Sequence, residues 1–163
     1  DMVDDIVRAY GFLTLGTRMK RIGERLQAES AELAGQMGVK VQTSHYPFLA
    51  ALSVNGPLTL GELAEAVGIT QPGATRTVGH LVKLGMLATK TSPEDGRVRI
   101  VSLTEQGRKE VEHGQTIVWP RIEAAVRDLC AALEGPLLDQ LAAMEDGLAT
   151  QPLDRRAGTG EPT

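Results

Sequence analysis

The 163-residue chain lacks several features, and each absence excludes a class of protein. A single cysteine leaves no partner for an internal disulfide. Aromatic residues make up only 3% of the chain, and no apolar run approaches the roughly 18 residues of a membrane-spanning helix. There is also no amino-terminal stretch with a charged start and an apolar core, as a secretory leader would have. We therefore expect a cytoplasmic protein.

Signals for catalysis and for metal binding are lacking too. No nucleophile with a base, no paired carboxylates and no glycine-rich phosphate loop occur at a recognisable spacing, so we predict no enzymatic activity and no cofactor. The three histidines, His45, His80 and His113, are isolated rather than clustered as metal ligands are. The pattern therefore favours no metal site.

The one cysteine, Cys130, lies among Val126, Leu129 and Leu133 in a stretch with helical periodicity. Apolar neighbours of this kind are typical of a small buried side chain that takes no part in chemistry. We predict such a role, and an oxidant-sensing thiol is the less favoured alternative.

An excess of positive charge is also missing. The net charge of -4 and the pI near 5.4 exclude a generic polyanion binder. The charge is uneven, however, because residues 70–109 carry seven Lys and Arg against three Asp and Glu, which gives +4. An acidic protein with one basic region can bind nucleic acid there, while the acidic remainder limits non-specific binding.

What is present centres on residues 58–103. Thr59 can cap a helix, and Glu62, three positions later, can reach back to the cap, which is a capping box. Apolar residues then recur on one helical face up to Val67, and Gly68 favours the left-handed conformation that ends a helix. The spacing predicts a short helix over residues 60–67.

A second helix is predicted directly after the first. Thr70 can cap it, and Pro72 falls in the first turn, where backbone N–H groups lack intrahelical partners. Its inward face is predicted to be Ala74, Val78, Leu81 and Val82, and its outward face Gln71, Gly73, Thr75, Arg76, Thr77, Gly79, His80 and Lys83. An outward face of small and hydrogen-bonding side chains suits a DNA major groove, where Arg can pair with guanine and Gln with adenine.

Two strand signals complete this segment. Residues 86–91 and 98–103 are rich in Thr, Val and Ile, and the six residues between them are typical of a turn. This predicts a projecting hairpin with Arg97 near its tip, from which a cation can enter the minor groove. Asp95 is then expected to hold an arginine in position.

In this order, the motifs resemble the MarR family of winged-helix transcriptional regulators. They are the LTLGELA opening, the Thr75-Arg76 pair, the Leu81-x-x-x-Gly85 exit, the Asp95-Gly96-Arg97 wing and the Ser102-Leu103-Thr104-x-x-Gly107 restart. The resemblance implies that Asp95 and Arg97 act as inferred above. One position departs from the family, because His80 stands where a basic residue is frequent and is mostly uncharged at neutral pH. The predicted DNA-binding residues are Thr70, Gln71, Pro72, Gly73, Thr75, Arg76, His80, Lys83, Asp95, Arg97 and Arg99.

Long helices are predicted on both sides of the winged helix. One runs from Asp4 to about Ala34, and a shorter helix capped by Ser44 covers residues 45–54. Thr104 is expected to cap a helix that runs to about residue 132 and bends at Trp119-Pro120, and a last helix begins at residues 135–136. The tail, residues 150–163, is predicted to be disordered.

The predicted fold is therefore mainly α with a small β-hairpin wing. The expected regions are a dimerisation helix and loop (1–43), a winged helix-turn-helix (44–103), carboxyl-terminal dimerisation helices (104–149) and the tail. Two reading helices on a palindrome must lie about 34 Å apart, and pairing of the terminal helices in a homodimer would set that spacing.

The resemblance implies a ligand-responsive repressor of transcription that binds double-stranded DNA. It also implies a small aromatic or anionic effector, for which the candidate residues are Arg18, His45, Tyr46 and Trp119. The alternative is a winged-helix module that binds protein instead of a specific DNA sequence.

Overall fold

A computed structural model describes residues 2–156. The helices are α1 (Ile6–Ala9), α2 (Leu15–Gly35), α3 (Tyr46–Asn55), α4 (Leu60–Val67), α5 (Gln71–Lys83), α6 (Glu105–His113), α7 (Trp119–Cys130) and α8 (Leu137–Thr150). The strands are β1 (Leu58–Thr59), β2 (Leu87–Thr91) and β3 (Arg99–Leu103). The described chain divides into two compact units, one ending at Ala124 and the other beginning at Ala125. None of the helices in residues 2–156 is both long enough and apolar enough to span a bilayer.

The predicted helix-turn-helix is confirmed, together with its caps. Thr59 Oγ1 accepts a hydrogen bond from Glu62 N at 3.1 Å, and Glu62 Oε1 accepts one from Thr59 N at 3.0 Å, which completes the capping box of α4. Gly68 ends this helix with a φ of 78°, in the left-handed region that a glycine adopts without strain. Thr70 Oγ1 then accepts from Gly73 N at 3.3 Å and caps α5.

The wing is also confirmed, as an antiparallel pair in which Leu87 lies opposite Leu103 and Thr91 opposite Arg99. The sequence interpretation missed β1, which pairs with the other side of β3 to give the strand order β1-β3-β2. Only two residues long, β1 carries too little periodicity to be recognised. Its presence fixes the start of α4 against the wing.

The core of the winged helix combines residues from the helices and the sheet. Leu49, Leu63, Leu81, Met86 and Val101 are fully buried there. The inward face of α5 is confirmed for three of its predicted members, but Val82 is 38% exposed and was wrongly assigned to it. Val82 directly follows Leu81, and the rotation of about 100° per residue carries it out of the buried stripe.

The connection from β3 to α6 is stabilised by a close approach of α6 to the backbone at Gly85 and Met86. Thr104 Oγ1 donates to Gly85 O at 2.6 Å and accepts from Gly107 N at 3.0 Å, which confirms the predicted cap. A Cβ at Gly107 would lie 2.2 Å from Met86 O, so only glycine allows α6 to pack this tightly on the chain before β2.

The amino-terminal helix is not continuous, and the prediction of a single helix was wrong. Asp5 caps α1 by accepting from Arg8 N at 3.2 Å, and the helix ends four residues later. Gly11 has a φ of 56°, which interrupts the helical path, and a short 3-10 turn follows before α2. The Thr14 hydroxyl donates to Val7 O at 2.5 Å and holds this break in place.

The start of α3 also differs from the prediction. A 3-10 turn over Thr43–His45 leads into it, and His45 rather than Ser44 occupies the cap position, with no side-chain cap. Pro47 lies in the first turn as expected. The chain therefore turns tightly just before α3.

The helix predicted from Thr104 to residue 132 is three segments. A π-helical stretch, Gly114–Val118, separates α6 from α7 just before Pro120, whose missing N–H cannot complete the regular pattern. A Cβ at Gly114 would lie 2.7 Å from Trp119 Cε2, so the indole packs directly on this stretch. The chain therefore accommodates the proline by changing from an α-helix to a π-helix and back.

In the second unit, α8 begins after Pro136 as predicted. Cys130 is half-buried and its neighbours Leu129 and Leu133 are exposed, so the expectation of a buried side chain is wrong for the single chain. Of the predicted tail, residues 157–163 lie outside the described residues. The described part contains a 3-10 turn over Leu153–Arg155.

Candidate nucleic-acid interface

The outward face of α5 is a continuous exposed surface without a carboxylate. Gln71, Pro72, Thr75, Arg76 and His80 are all exposed, as are Gly79 and Lys83. Gly73 and Thr77 are half-buried. Since no Asp or Glu occurs between Thr70 and Lys83, nothing on this helix opposes the approach of phosphate.

Hydrogen bonds within the first turns of α5 limit what two of these side chains can do. Thr70 Oγ1 is engaged as the helix cap, and Thr75 Oγ1 donates to Gln71 O at 3.0 Å. The side chains of Gln71 and Arg76 form no hydrogen bond or ion pair with described residues. These two long side chains are therefore available to read base edges.

The wing holds its arginine as predicted. Asp95 Oδ1 accepts from Arg97 N at 3.0 Å and from Arg97 Nε at 3.4 Å. The Arg97 side chain nevertheless remains 93% exposed, whereas that of Asp95 is 46% exposed. The aspartate therefore orients the guanidinium and leaves its outer N–H groups accessible.

Backbone hydrogen bonds close the loop that carries this pair. Ser92 N donates to Val98 O at 2.8 Å, and Val98 N donates to Asp95 O at 3.0 Å. Arg99 starts β3 directly below the loop and is exposed, as is Lys90 on the neighbouring strand. The wing thus presents three cations close to its tip.

His80 is in contact with a second histidine instead of standing alone on α5. Its ring centroid lies 5.5 Å from that of His45, with the rings edge to face. Burial, and secondarily the neighbouring His80, lower the pKa of His45 below its ordinary value, so His45 is neutral at physiological pH. Among described residues, its buried Nδ1 has no hydrogen-bond partner.

Of the four predicted effector residues, the structure brings two together. The rings of Tyr46 and Trp119 meet edge to face with centroids 5.6 Å apart. Both line a cavity of about 350 Å³ together with Thr43, Pro47, Ala50, Ile122 and Glu123. Arg18, on α2, and His45, against His80, are not among the residues that line it.

The sequence analysis missed a buried carboxylate, Glu110, which lies beside this cavity. Glu110 Oε1 accepts from the Tyr46 hydroxyl at 3.1 Å and from Lys40 N at 3.3 Å. Burial, followed by the nearby Glu110 charge, raises the pKa of Tyr46, so its hydroxyl stays protonated. The available signal was helical spacing, because Glu110 shares one stripe with Gly107, Val111 and Gly114.

The remaining histidine has a backbone partner. His113 Nε2 lies 2.9 Å from Met37 O, which ties α6 to the loop after α2. Within residues 2–156, no three His, Cys, Asp or Glu side chains are grouped so that they could hold a metal ion.

Comparison with known sequences is consistent with this geometry. Residues 37–98 match the family model described as "MarR family". The uncharacterized HTH-type transcriptional regulator YdgJ of Bacillus subtilis is 26% identical over 108 residues, which are 66% of each chain. An HTH-type regulator of Bacillus cereus is 37% identical over 70 residues, or 43% of this chain and 46% of that one. The chain thus spans about half to two thirds of the curated relatives it matches.

Solved structures show the same fold. A mutant MarR from E. coli, complexed with operator DNA, is similar at a TM-score of 0.66 and 20% identity, covering 90% of this chain and 98% of that one. The PcaV transcriptional regulator from Streptomyces coelicolor, in complex with its natural ligand, gives a TM-score of 0.62 at 22% identity and covers 92% and 95%. At these identities the similarity establishes the architecture.

Proposed function

We propose that the chain, whose residues 37–98 match the MarR family model, is a sequence-specific DNA-binding regulator of transcription. It would act in the cytoplasm as a homodimeric repressor on a pseudo-palindromic operator. The observation that carries the proposal is the pairing of a carboxylate-free reading face on α5 with a wing arginine that is oriented and 93% exposed. A structural role alone would require neither feature.

In this proposal α5 lies in the major groove. Arg76 would contact guanine and Gln71 adenine, because both side chains are exposed and free to form bidentate hydrogen bonds. Thr70, Pro72, Gly73 and Thr75 surround the start of the helix, where small side chains and backbone N–H groups allow close approach to phosphate. Lys83 would contact phosphate at the other end.

The wing would enter the adjacent minor groove. The narrow groove concentrates negative potential, and Arg97 is positioned by Asp95 to meet it. Arg99 is placed to contact the flanking phosphates. His80 contributes least, because its ring lies edge to face against the ring of His45.

The homodimer is supported by apolar side chains that the single chain leaves uncovered. Near the amino terminus, Phe12 is 93% exposed and Leu13 80% exposed. In the second unit, Leu129, Leu138 and Leu148 are exposed as well. Monomeric proteins rarely leave such sets uncovered, and a second copy would bury them while setting the distance between the two reading helices.

Regulation by a small molecule is supported by the Tyr46–Trp119 cavity. It lies between the start of α3 and α7, and two buried polar atoms of its lining residues, Thr43 Oγ1 and Trp119 Nε1, have no hydrogen-bond partner among described residues. An effector with hydrogen-bonding groups would satisfy such atoms. Its binding would relieve repression by changing the spacing of the reading helices.

The salt dependence of duplex binding tests this proposal against the alternative of a protein-interaction module. We expect the binding constant for a duplex, followed by fluorescence anisotropy, to fall steeply between low and moderate salt. Arg97→Ala should reduce the slope of log K against log salt by about one, because the duplex then loses one protein cation that displaces a counterion. Arg25→Ala, on α2, is the matched control, because its side chain is 83% exposed and lies outside the winged helix.

Equal slopes for Arg97→Ala and Arg25→Ala would contradict the proposed wing contact. Absence of duplex binding even at low salt would contradict the proposal as a whole and favour the protein-interaction module.

A further inference from the structure

A second cavity lies where α3 ends and the sheet begins, and it shares no residue with the Tyr46–Trp119 cavity. Its volume is about 240 Å³, and it is lined by Leu52, Ser53, Gly56, Pro57, Ser102, Leu103 and Arg108. The cavity opens to solvent, because three of its lining residues, Ser53, Pro57 and Arg108, are exposed.

The cavity exists because β1 begins only at Leu58. Leu58 pairs with Val101, so Ser102 and Leu103 of β3 have no partner residue on β1. Pro57 has no N–H with which to continue the pairing, and Gly56, with a φ of 76°, turns the chain away toward α3. The end of β3 therefore faces open space.

The polar groups around this space carry one formal charge, which is positive. Within residues 2–156, the Arg108 guanidinium has no ion pair, and the hydroxyls of Ser53 and Ser102 have no hydrogen bond. No carboxylate lines the cavity. A guanidinium presents paired N–H groups that match the two oxygens of a carboxylate, and hydroxyls can add further donors.

The other walls are hydrocarbon. Leu52 is buried in the core and Leu103 is half-buried, while Pro57 is exposed at the edge of the cavity. Inorganic anions gain nothing from such walls, whereas a ligand with an apolar body gains about 25 cal/mol for each Å² of carbon that it buries. The combination selects for a molecule with one anionic end.

We propose that this cavity binds a small organic monocarboxylate, with its carboxylate on Arg108 and the two serine hydroxyls and its hydrocarbon part against Leu52 and Leu103. The Tyr46–Trp119 cavity offers an anion no comparable partner, because its lining includes the carboxylate of Glu123 and no cation. This site is independent of the DNA-binding proposal.

Isothermal titration of the full chain without DNA tests the site. The probes are benzoate and isovalerate, with benzamide as the uncharged match for benzoate and inorganic phosphate as the anion without an apolar body. We expect one of the two carboxylates to bind at least about tenfold more tightly than benzamide or phosphate, as a charge-assisted hydrogen bond predicts.

Arg108→Gln should weaken binding of that carboxylate by about tenfold or more. Lys109→Gln removes the same charge from the neighbouring exposed position, which does not line the cavity, and should leave binding unchanged. The proposal is overturned if neither carboxylate binds, if Arg108→Gln and Lys109→Gln bind equally, or if phosphate binds as tightly as the carboxylate. Each of these results leaves the DNA-binding proposal untouched, because no duplex is present.

Discussion

The winged-helix segment, residues 58–103, and the amino-terminal segment, residues 2–35, use their apolar residues in opposite ways. In the winged helix, Leu63, Leu81 and Val101 are fully buried within the same chain. In the amino-terminal segment only Ala34 is buried, and Phe12 and Leu13 are among the most exposed side chains described. The first segment is complete as a single copy. The second has an apolar face whose cover, on our proposal, is another subunit.

The largest effect should come from truncating the buried face of α5. Leu81→Ala is expected to lower the free energy of unfolding by about 2–5 kcal/mol, because the removed atoms leave a cavity in the core. Val82→Ala, on the same helix but exposed, should stay within about 0.5 kcal/mol of wild type. Urea denaturation measures both. Equal losses would mean that the boundary between the buried and exposed faces is misplaced.

A smaller loss in the free energy of unfolding is expected at the contact between α6 and the residues that precede β2. Gly107→Ala places a Cβ 2.2 Å from Met86 O, and the resulting overpacking should cost about 1–3 kcal/mol. Gly79→Ala provides the contrast, because nothing lies within 4 Å of its Cβ and a helical alanine should add about 0.5–1 kcal/mol. Thermal unfolding of the two variants should therefore shift in opposite directions. Unchanged stability of Gly107→Ala would refute the close approach.

The smallest effect belongs to the capping box of α4. Thr59→Ala should cost about 1 kcal/mol at neutral pH, since it removes the side-chain acceptor for Glu62 N. The backbone hydrogen bond from Thr59 lowers the pKa of Glu62, so the contribution of this carboxylate is present above its ordinary pKa. This contribution is lost as the pH falls through the lowered pKa of Glu62.

Glu62→Gln should accordingly destabilise the protein at neutral pH and have progressively less effect in acid. Glu65→Gln, exposed on the same helix and outside the capping box, is the matched control and should leave the free energy of unfolding unchanged. A cost of Glu62→Gln that is the same at neutral and acid pH would exclude the carboxylate's part in the cap.

The same contrast explains what the sequence could predict. The caps at Thr59, Thr70 and Thr104 and the hairpin around Asp95 depend on residues a few positions apart, and all were recognised. The break at Gly11 was not, because a glycine inside an apolar stripe is also compatible with a continuous helix.

For the candidate sites, prediction was only partly successful where distant segments meet. Of the four residues grouped as an effector site, Tyr46 and Trp119 are in contact, whereas Arg18 and His45 do not line their cavity. The pairing of His45 with His80 and the burial of Glu110 under Tyr46 were missed, because both depend on how helices pack. The Arg108 cavity depends on the two-residue length of β1, which no sequence pattern indicated.

We propose that α5 and the wing read DNA as a two-fold pair, and selection of bound duplexes from a random pool is the decisive test of this claim. We expect a symmetric site with half-sites about one helical turn apart, and weaker binding to that site by both Arg76→Ala and Arg97→Ala. Arg25→Ala should bind it as wild type does. Enrichment of no sequence at low salt, or an enriched site that both variants bind normally, would contradict the claim.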